Sequence, residues 1–293
     1  MTGIRTHGFR SMGTTVTLLG PAGDAAFPRA LDAVSRRFID EERRFSRFRG
    51  DSELSRVNAA SGRPRTVSAP FAELVSLALD AAARTAGRFD PTVHDALVAA
   101  GYDRDFDEVL AGARGALHPA APCGRWAEVE VDGRTLTLPA GVHLDLGGIA
   151  KGWTADRAAE DALAAGLPWA TVNAGGDLRL AGDAPPLPVA IEDPEDPDVE
   201  LLRIRVPSGG LATSSVMKRS WAPGRHHVID PSSGRPAETE LLQITVWSET
   251  AVEAEVRATD GLLLGRRAVE RSPAVCVTRE GDVLVSLAFE EAA

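Results

Sequence analysis

Cysteine, lysine and tyrosine are all scarce in this chain of 293 residues. Two cysteines occur, Cys123 and Cys276, without a CxxC pair, which excludes a disulfide framework. We expect both thiols to be buried structural groups. The two lysines, Lys151 and Lys218, are far outnumbered by arginines, a bias that we attribute to genome composition.

Long apolar runs and an excess of positive charge are also absent. No run approaches the roughly 20 apolar residues that a membrane-spanning helix needs. The first residues lack the apolar core and the cleavage site of a secretory signal. We therefore expect no membrane span and, for the chain as given, a cytoplasmic location. The formal net charge of -10 argues against a nucleic-acid partner, which would require a basic surface.

What remains is the composition of a soluble globular protein, with 44% hydrophobic and 25% charged residues. The length allows one large domain or two small ones, and no repeat or obvious linker divides the chain. Helix and strand patterns alternate irregularly. This order favours an α+β fold, with a mixed, largely antiparallel sheet core and flanking helices, over a regular βαβ winding.

Periodicity and turn residues predict the individual elements. Helices are predicted over residues 27–45, 71–86, 149–165 and 250–264. Asp51 is predicted to cap a further helix, and Gly87 to end the helix over residues 71–86. Strands are predicted over residues 12–19, 142–146, 170–173, 178–181, 187–191, 202–206, 226–229, 241–247, 274–277 and 283–287. Residues 129–138 are predicted to form a hairpin with Asp132 and Gly133 as its turn.

The segment DLGGIAKG, residues 145–152, lies where a predicted strand turns into a predicted helix. Its two glycines let the backbone approach a ligand closely, and the N–H groups of a helix N-terminus attract anions. Lys151 adds a positive charge within the first turn. The segment is a candidate pyrophosphate cradle, although Gly-Gly at such a junction is more often only a tight turn. It matches neither a Walker motif nor the GxGxxG fingerprint.

Two further segments combine turn residues with polar groups. NAGGD, residues 173–177, is typical of a hairpin connection. His226 and His227 precede the turn sequence DPSSG, residues 230–234. Neighbouring side chains of a strand point to opposite faces, so only one of these histidines can face a ligand, as a metal ligand or a base. The other is structural or exposed.

Glu255 and Thr259 lie at positions i and i+4 of the predicted helix over residues 250–264, and therefore on one face. A carboxylate and a hydroxyl are hard oxygen donors that suit Mg²⁺, which often takes few protein ligands. A solvated acidic helix face is the alternative interpretation of the same pattern.

Six segments together resemble the FAD:protein FMN transferase family, also called ApbE-like proteins, from Met12 to about residue 265. Each segment alone is unspecific, but their combination in this order is highly specific. The segments are residues 12–14 (MGT), 46–58 (SRFRGDSELSRVN), 89–92 (FDPT), 145–152, 173–177 and 227–231 (HVIDP).

The resemblance implies one ApbE-like unit over residues 1–293 that uses FAD as substrate and Mg²⁺ as cofactor. Such an enzyme attaches FMN by a phosphoester to a threonine or serine of an acceptor flavoprotein and releases AMP. The implied FAD contacts are Met12, Phe48, Phe89, Asp90, Gly147, Lys151, Trp153, His227 and Val228. The implied metal ligands are the Ala150 carbonyl and the side chains of Glu255 and Thr259, and the implied catalytic residues are His227 and Lys151.

Three positions depart from the family pattern. Glu255 stands where the family usually has Asp, so the charge is kept on a longer arm that changes the metal placement. Phe48 stands where the family often has Tyr, so the ring is kept without the hydrogen bond of the hydroxyl. Residues 214–217 read SSVM where Ser-Gly-x-Tyr is common.

Two other functions fit the same residues. A Mg²⁺-dependent FAD pyrophosphatase would use water as the nucleophile and release free FMN with AMP. A catalytically poor FAD-binding protein would bind FAD without metal-dependent AMP release.

Overall fold

The computed structural model describes residues 3–60, 62–112 and 119–286. The strands are β1 (Ile4–Ser11), β2 (Thr14–Pro21), β3 (Arg65–Thr66), β4 (Glu130–Asp132), β5 (Thr135–Thr137), β6 (Trp169–Ala174), β7 (Asp177–Gly182), β8 (Leu187–Glu192), β9 (Glu200–Val206), β10 (Gly209–Ser215), β11 (Ser220–Ala222), β12 (Arg225–His226), β13 (Ile229–Asp230), β14 (Arg235–Pro236), β15 (Leu241–Ser248), β16 (Ala274–Thr278) and β17 (Val283–Val285). The α-helices are α1 (Phe27–Phe45), α2 (Glu53–Asn58), α3 (Ala69–Arg84), α4 (His94–Ala99), α5 (Phe106–Leu110), α6 (Ala150–Ala164) and α7 (Ala251–Leu264), and short 3₁₀ helices cover Trp126–Glu128 and Gly265–Glu270.

The chain divides into two compact units. Unit 1 takes the described parts of Met1–Glu41, Lys151–Met217 and Thr239–Ala293. Unit 2 takes the described parts of Glu42–Ala150 and Lys218–Glu238. Both units are therefore assembled from stretches that are separated in the sequence.

Unit 1 is built on an eight-stranded sheet in the order β1-β2-β6-β7-β10-β15-β16-β17. All neighbours in this order pair antiparallel, and β8 and β9 form a separate antiparallel hairpin. Burial alternates along β2, as expected for a strand with one face on the core. β15 is buried along nearly its whole length, because it is a central strand covered on both faces.

Two of the apolar clusters of unit 1 involve the main sheet. In the first, α1 and α6 pack with β2 and β6, and α6 contributes a row of small side chains, Ala155, Ala158, Ala159 and Ala162. In the second, the β8–β9 hairpin packs through Leu187, Ile191 and Ile204 against Leu180 and Leu211 of the main sheet. These clusters fix the ends of β7, α6 and α7, where the polar motif residues of this unit lie.

Unit 2 contains the three-stranded sheet β3-β5-β4, the small hairpins β11–β12 and β13–β14, and the helices α2 to α5. One apolar cluster of unit 2 joins Leu97, Tyr102 and Val109 to Ile229. Because Ile229 belongs to the second stretch of unit 2, both stretches are needed to complete this core.

The predicted α+β class with a largely antiparallel sheet is confirmed. The four helices predicted over residues 27–45, 71–86, 149–165 and 250–264 correspond to α1, α3, α6 and α7, with ends that agree within two residues. The Asp132-Gly133 hairpin is confirmed as β4 and β5. No helix within the described ranges has the length and the apolar character needed to cross a membrane.

The strand predicted over residues 142–146 is wrong, because the backbone of this segment does not form hydrogen bonds with a neighbouring strand. The Leu144 N–H donates to Asn58 Oδ1 at 2.8 Å, and the Leu144 carbonyl accepts from Asn58 Nδ2 at 2.9 Å. The Asp145 N–H donates to the Pro91 carbonyl at 2.8 Å. These bonds hold the segment as an extended loop.

Other corrections concern element ends. The cap of α2 is Ser52, whose hydroxyl accepts from the Ser55 N–H at 2.9 Å, and not Asp51. The strand predicted over residues 226–229 is wrong. β12 ends at His226 and β13 begins at Ile229, and the two strands belong to different hairpins. The strand predicted from residue 12 begins at Thr14. The strand predicted over residues 283–287 corresponds to β17, which ends at Val285. Residue 287, the last of the predicted strand, lies outside the described ranges.

Candidate functional site

Three charged side chains from three elements of unit 1 meet in what we call the Lys151 cluster. Lys151 on α6 donates from Nζ to Glu255 Oε1 on α7 at 2.6 Å and to Asp177 Oδ2 at the start of β7. The side chains of Lys151, Asp177 and Glu255 are 17%, 5% and 5% exposed. One ammonium group thus lies between two buried carboxylates, so the ionised cluster carries one excess negative charge.

The electrostatics of the Lys151 cluster follow from this burial. Removal from water raises the pKa of the Glu255 carboxyl, because burial penalises its charged form. The Lys151 ammonium lowers that pKa, and the negative charge of Asp177 raises it further. Additional positive charge at this place would therefore stabilise the ionised carboxylates.

Gly152 brings α6 and α7 into close approach. A Cβ at this position would lie 2.6 Å from the Ala251 carbonyl oxygen, so a larger residue fits only if one helix shifts. The approach lets the Gly152 N–H donate to Glu255 Oε2 at 2.8 Å. Asp156 of α6 accepts from the N–H groups of Ala251 and Val252 at 2.9 Å each. The first turn of α7, and with it Glu255, is thereby fixed on α6.

Thr259 lies one helical turn after Glu255 on α7, as the i, i+4 spacing predicts. It is half-buried, and its hydroxyl donates to the Glu255 carbonyl oxygen at 3.2 Å. The hydroxyl oxygen keeps its acceptor lone pairs for another partner.

Two tight turns of unit 1 carry further motif residues. Met12 and Gly13 connect β1 to β2 with φ values of 50° and 67°, the left-handed values of a two-residue hairpin turn. Gly175, in the turn between β6 and β7, has φ of 69°, and a Cβ there would overlap the Thr14 hydroxyl. The MGT and NAGGD motifs therefore touch, next to Asp177.

Trp153, a predicted FAD contact, is buried on α6. The Arg157 guanidinium lies 5.5 Å from the centre of its ring. The contact of Trp153 with FAD stays a prediction.

In unit 2, Asp145 fixes the glycine turn of the DLGGIAKG segment. Its Oδ1 accepts from the Gly147 N–H at 2.8 Å, and its Oδ2 lies 2.9 Å from Arg47 Nε. Both charged side chains are at least 92% buried, since 8% of Arg47 and 7% of Asp145 are exposed. Arg47 therefore neutralises the charge of the Asp145 carboxylate, and the bond from the Gly147 N–H to that carboxylate stabilises the turn.

An aromatic platform lies beside Arg47 in unit 2. The Arg47 guanidinium carbon is 4.3 Å from the ring centres of both Phe48 and Tyr102. Tyr102 is buried and packs on Trp221 with ring centres 5.5 Å apart, whereas Phe48 is 40% exposed. An exposed ring supported by a buried stack offers a flat apolar surface to an aromatic ligand.

Phe89 and Asp90, two other predicted FAD contacts of unit 2, are buried. Asp90 Oδ1 accepts from the N–H and the hydroxyl of Thr92 at 2.7 Å each, and Asp90 Oδ2 accepts from the Gly124 N–H at 2.6 Å. Asp90 thus shapes its loop, and the contacts of both residues with FAD stay predictions.

The two adjacent histidines have different surroundings, although they do not lie in one strand as the sequence argument assumed. His226 is buried, its Nε2 lies 3.2 Å from the Ala237 carbonyl oxygen, and its Nδ1 accepts from the Val228 N–H at 3.3 Å. Both ring nitrogens are therefore engaged in holding the loop, which is a structural role. His227 is half-buried and stays the candidate for the chemistry, beside the buried Val228.

The donor set of the Lys151 cluster suits a hard divalent cation. Mg²⁺ prefers carboxylate and hydroxyl oxygens, and Glu255, Asp177 and Thr259 supply these within unit 1. A divalent cation would more than offset the one excess negative charge of the Lys151 cluster. Ala150, whose carbonyl is the third predicted ligand, is the buried first residue of α6.

Asp177 and Arg47 were missed as site residues by the sequence analysis. Asp177 follows two glycines and is typical of a turn, while Arg47 is one of many arginines. Asp177 is 26 residues from Lys151 along the chain, and only the fold brings them together. The one usable signal was the presence of both residues inside motif segments.

Comparison with known proteins agrees with this arrangement. Residues 12–277 match the model of the ApbE family. The FAD:protein FMN transferase of Vibrio cholerae is 28% identical over 287 residues, covering 94% of this chain and 85% of the relative. A protein of the same name from Klebsiella pneumoniae is 29% identical over 299 residues, covering 96% and 83%.

Two solved structures have the same fold. The ApbE protein of Thermotoga maritima superposes with a TM-score of 0.85 at 25% identity, covering 99% of each chain. The flavin transferase ApbE from Vibrio cholerae superposes with a TM-score of 0.84 at 25% identity, covering 100% of each chain.

The chain therefore belongs to the ApbE family. The family, the fold and the assignment as a transferase enzyme, all predicted from the sequence, are confirmed.

Proposed function

We propose that this chain is an FAD:protein FMN transferase. The proposal is carried by the family match over residues 12–277 and by the nearly full-length similarity to relatives of that name. The reaction joins FMN by a phosphoester to a threonine or serine hydroxyl of an acceptor flavoprotein and releases AMP. We propose that residues 1–293 together form one ApbE-like flavin transferase.

Unit 2 supports this proposal with a surface for the flavin ring. We assign the flavin ring system to the exposed part of Phe48, whose ring contacts the Arg47 guanidinium and lies 5.6 Å from the centre of the Tyr102 ring. Stacking on an aromatic ring does not require the hydroxyl that the family often has at this position. The remaining proposed FAD contacts are Met12, Phe89, Asp90, Gly147, Trp153, His227 and Val228.

Unit 1 supports it with groups that suit a pyrophosphate. Lys151, the second residue of α6, carries a positive charge that attracts phosphate groups. We propose that Glu255, Thr259 and the Ala150 carbonyl hold Mg²⁺, with Asp177 beside them. When bound, Mg²⁺ neutralises phosphate charge, which matters more in phosphoryl transfer than covalent help from the enzyme.

In the proposed step, the acceptor hydroxyl oxygen bonds to the FMN-side phosphorus while the phosphoanhydride bond breaks and AMP leaves. His227 orients the hydroxyl or accepts its proton. Lys151 stabilises the negative charge that develops on the phosphates.

The test combines AMP release from FAD, with and without Mg²⁺, with mass spectrometry of a threonine-containing acceptor peptide. We expect Mg²⁺-dependent AMP together with a gain of the FMN mass on the peptide. AMP with free FMN and an unmodified peptide would identify a pyrophosphatase instead. Bound FAD without AMP under any divalent metal would identify a binding protein.

A further inference from the structure

Two histidines and an aspartate of unit 2 direct their ligand atoms at one another. His94 Nδ1 and His143 Nδ1 each lie 2.9 Å from Asp95 Oδ1, and His143 Nδ1 also lies 2.9 Å from Asp95 Oδ2. The imidazole centres are 5.6 Å apart. Within the part of the chain that the structure describes, this is the one group of three or more His, Cys, Asp or Glu residues that converges closely enough to hold a metal ion.

We propose that His94, Asp95 and His143 bind a divalent transition metal of the zinc class, at a site distinct from the Mg²⁺ site proposed above. Two imidazole nitrogens and one carboxylate are ligands that Zn²⁺ accepts, whereas Mg²⁺ prefers oxygen alone. At metal–ligand distances of about 2.0–2.1 Å, tetrahedral ligand atoms are about 3.3 Å apart. The two His–Asp separations of 2.9 Å need to widen by only a few tenths of an ångström, and all three ligand atoms already lie within 4.8 Å of one another.

The neighbouring backbone holds the ligands in place without a metal. Leu144, next to His143, is bonded through both its N–H and its carbonyl to the Asn58 side chain. The bond from the Asp145 N–H to the Pro91 carbonyl joins the two segments that supply the ligands. Little conformational freedom is therefore lost when an ion binds, which favours affinity.

The site is accessible to ions from solvent. The side chains of His94, Asp95 and His143 are 23%, 35% and 30% exposed. Three protein ligands leave a fourth position of a tetrahedral site to water. The bound ion would join the loop of the FDPT motif to the loop that precedes the Gly147 turn.

Equilibrium dialysis of the untagged protein against Zn²⁺, in excess Mg²⁺, tests the assignment. We expect one Zn²⁺ per chain, with binding at least about tenfold weaker in His94→Gln, Asp95→Asn and His143→Gln, since even the loss of a group behind a ligand costs 10–100-fold. His7→Gln is the matched control, because His7 is exposed on β1 of unit 1, and it should bind as the wild type does.

Two further measurements keep the result decisive. Co²⁺ should give the intense visible absorption of a four-coordinate site in the wild type and not in His143→Gln, and Zn²⁺ should raise the melting temperature of the wild type only. Circular dichroism of the metal-free variants shows that they are folded. Unchanged Zn²⁺ binding in folded variants, or a wild type without the Co²⁺ bands, would overturn the proposal. Since AMP release is not measured, failure here is distinguishable from failure of the proposed transferase.

Discussion

At the scale of single residues, Glu255 is the position on which the proposed metal site depends. Glu255→Ala removes the buried carboxylate, and we expect AMP release from FAD to fall by about 10²–10³-fold or more, a loss typical of removed transition-state electrostatics. FAD affinity should fall much less, because the flavin ring is assigned to Phe48. AMP chromatography and flavin fluorescence titration measure the two effects.

Two variants control this experiment. Glu253→Ala removes a carboxylate from the same helix, where it pairs with Arg257 at 2.8 Å, and should leave activity unchanged. Glu255→Asp supplies the residue that the family usually has and should keep measurable activity. Full activity of Glu255→Ala with Mg²⁺ present would remove Glu255 from the metal site.

Lys151 neutralises two buried carboxylates, so its loss should affect stability as well as activity. We expect Lys151→Met to lower the free energy of unfolding by about 3 kcal/mol, because it leaves buried charges uncompensated. Adding Asp177→Asn should recover part of that loss, which urea denaturation would show as non-additivity. Lys218→Met is the matched control, since Lys218 is the other lysine and is exposed. Strictly additive effects would contradict the coupling.

The histidine pair allows a comparison of chemistry with structure. His227→Ala should slow FMN transfer to the acceptor peptide by about 10²-fold or more if it acts as general base, with little change in melting temperature. His226→Ala should lower the melting temperature, because it removes both loop-holding bonds. An unchanged transfer rate in His227→Ala would exclude that residue from the reaction.

At the scale of elements, the contact of α6 with α7 positions the Lys151 cluster. Gly152→Ala would place a methyl group against the Ala251 carbonyl, and overpacking of this kind costs about 1–3 kcal/mol. We expect reduced stability in urea denaturation together with reduced AMP release, since Glu255 moves with α7. Gly50→Ala is the control, because a Cβ at Gly50 meets no atom within 4 Å. Wild-type stability of Gly152→Ala would contradict the described packing.

The elements that the sequence predicted well are those whose own pattern determines them. α1 has strong helical periodicity and was predicted with both ends correct. β1 was missed because it is an edge strand with six of its eight residues exposed, so no alternation of burial marks it. The loop over residues 142–146 has the alternation of a strand, but the distant Asn58 takes up its hydrogen bonds.

At the scale of the whole molecule, ligand binding should raise the melting temperature of the protein. Ligand at about 100 times its Kd adds about 2.7 kcal/mol to the free energy of unfolding, which at about 2–4 °C per kcal/mol raises the melting temperature by at least about 5 °C. We expect FAD with Mg²⁺ to give a larger shift in differential scanning fluorimetry than FAD with EDTA. Glu255→Ala should abolish that difference, and equal shifts in the wild type would argue against a metal-assisted FAD site.

Contacts between residues that are far apart along the chain could not be predicted from the sequence. Lys151 and Glu255 are 104 residues apart, and no local pattern predicts that they share a hydrogen bond. The ordered motifs identified the family, and the resemblance then implied both residues, but the placement of Asp177 beside Lys151 needed the fold. The sequence likewise did not predict that His94 and His143 converge, since their separation along the chain does not match a known metal-binding motif.

The divided path of the chain sets the order in which the protein is completed during translation. When Glu238 has emerged from the ribosome, every residue of unit 2 has emerged, whereas β15, β16 and β17 of the main sheet have not. β10 then presents an unpaired edge, the kind of surface that promotes aggregation. We expect nascent chains that end at this point to depend on chaperones, until β15 pairs with β10 and closes the sheet.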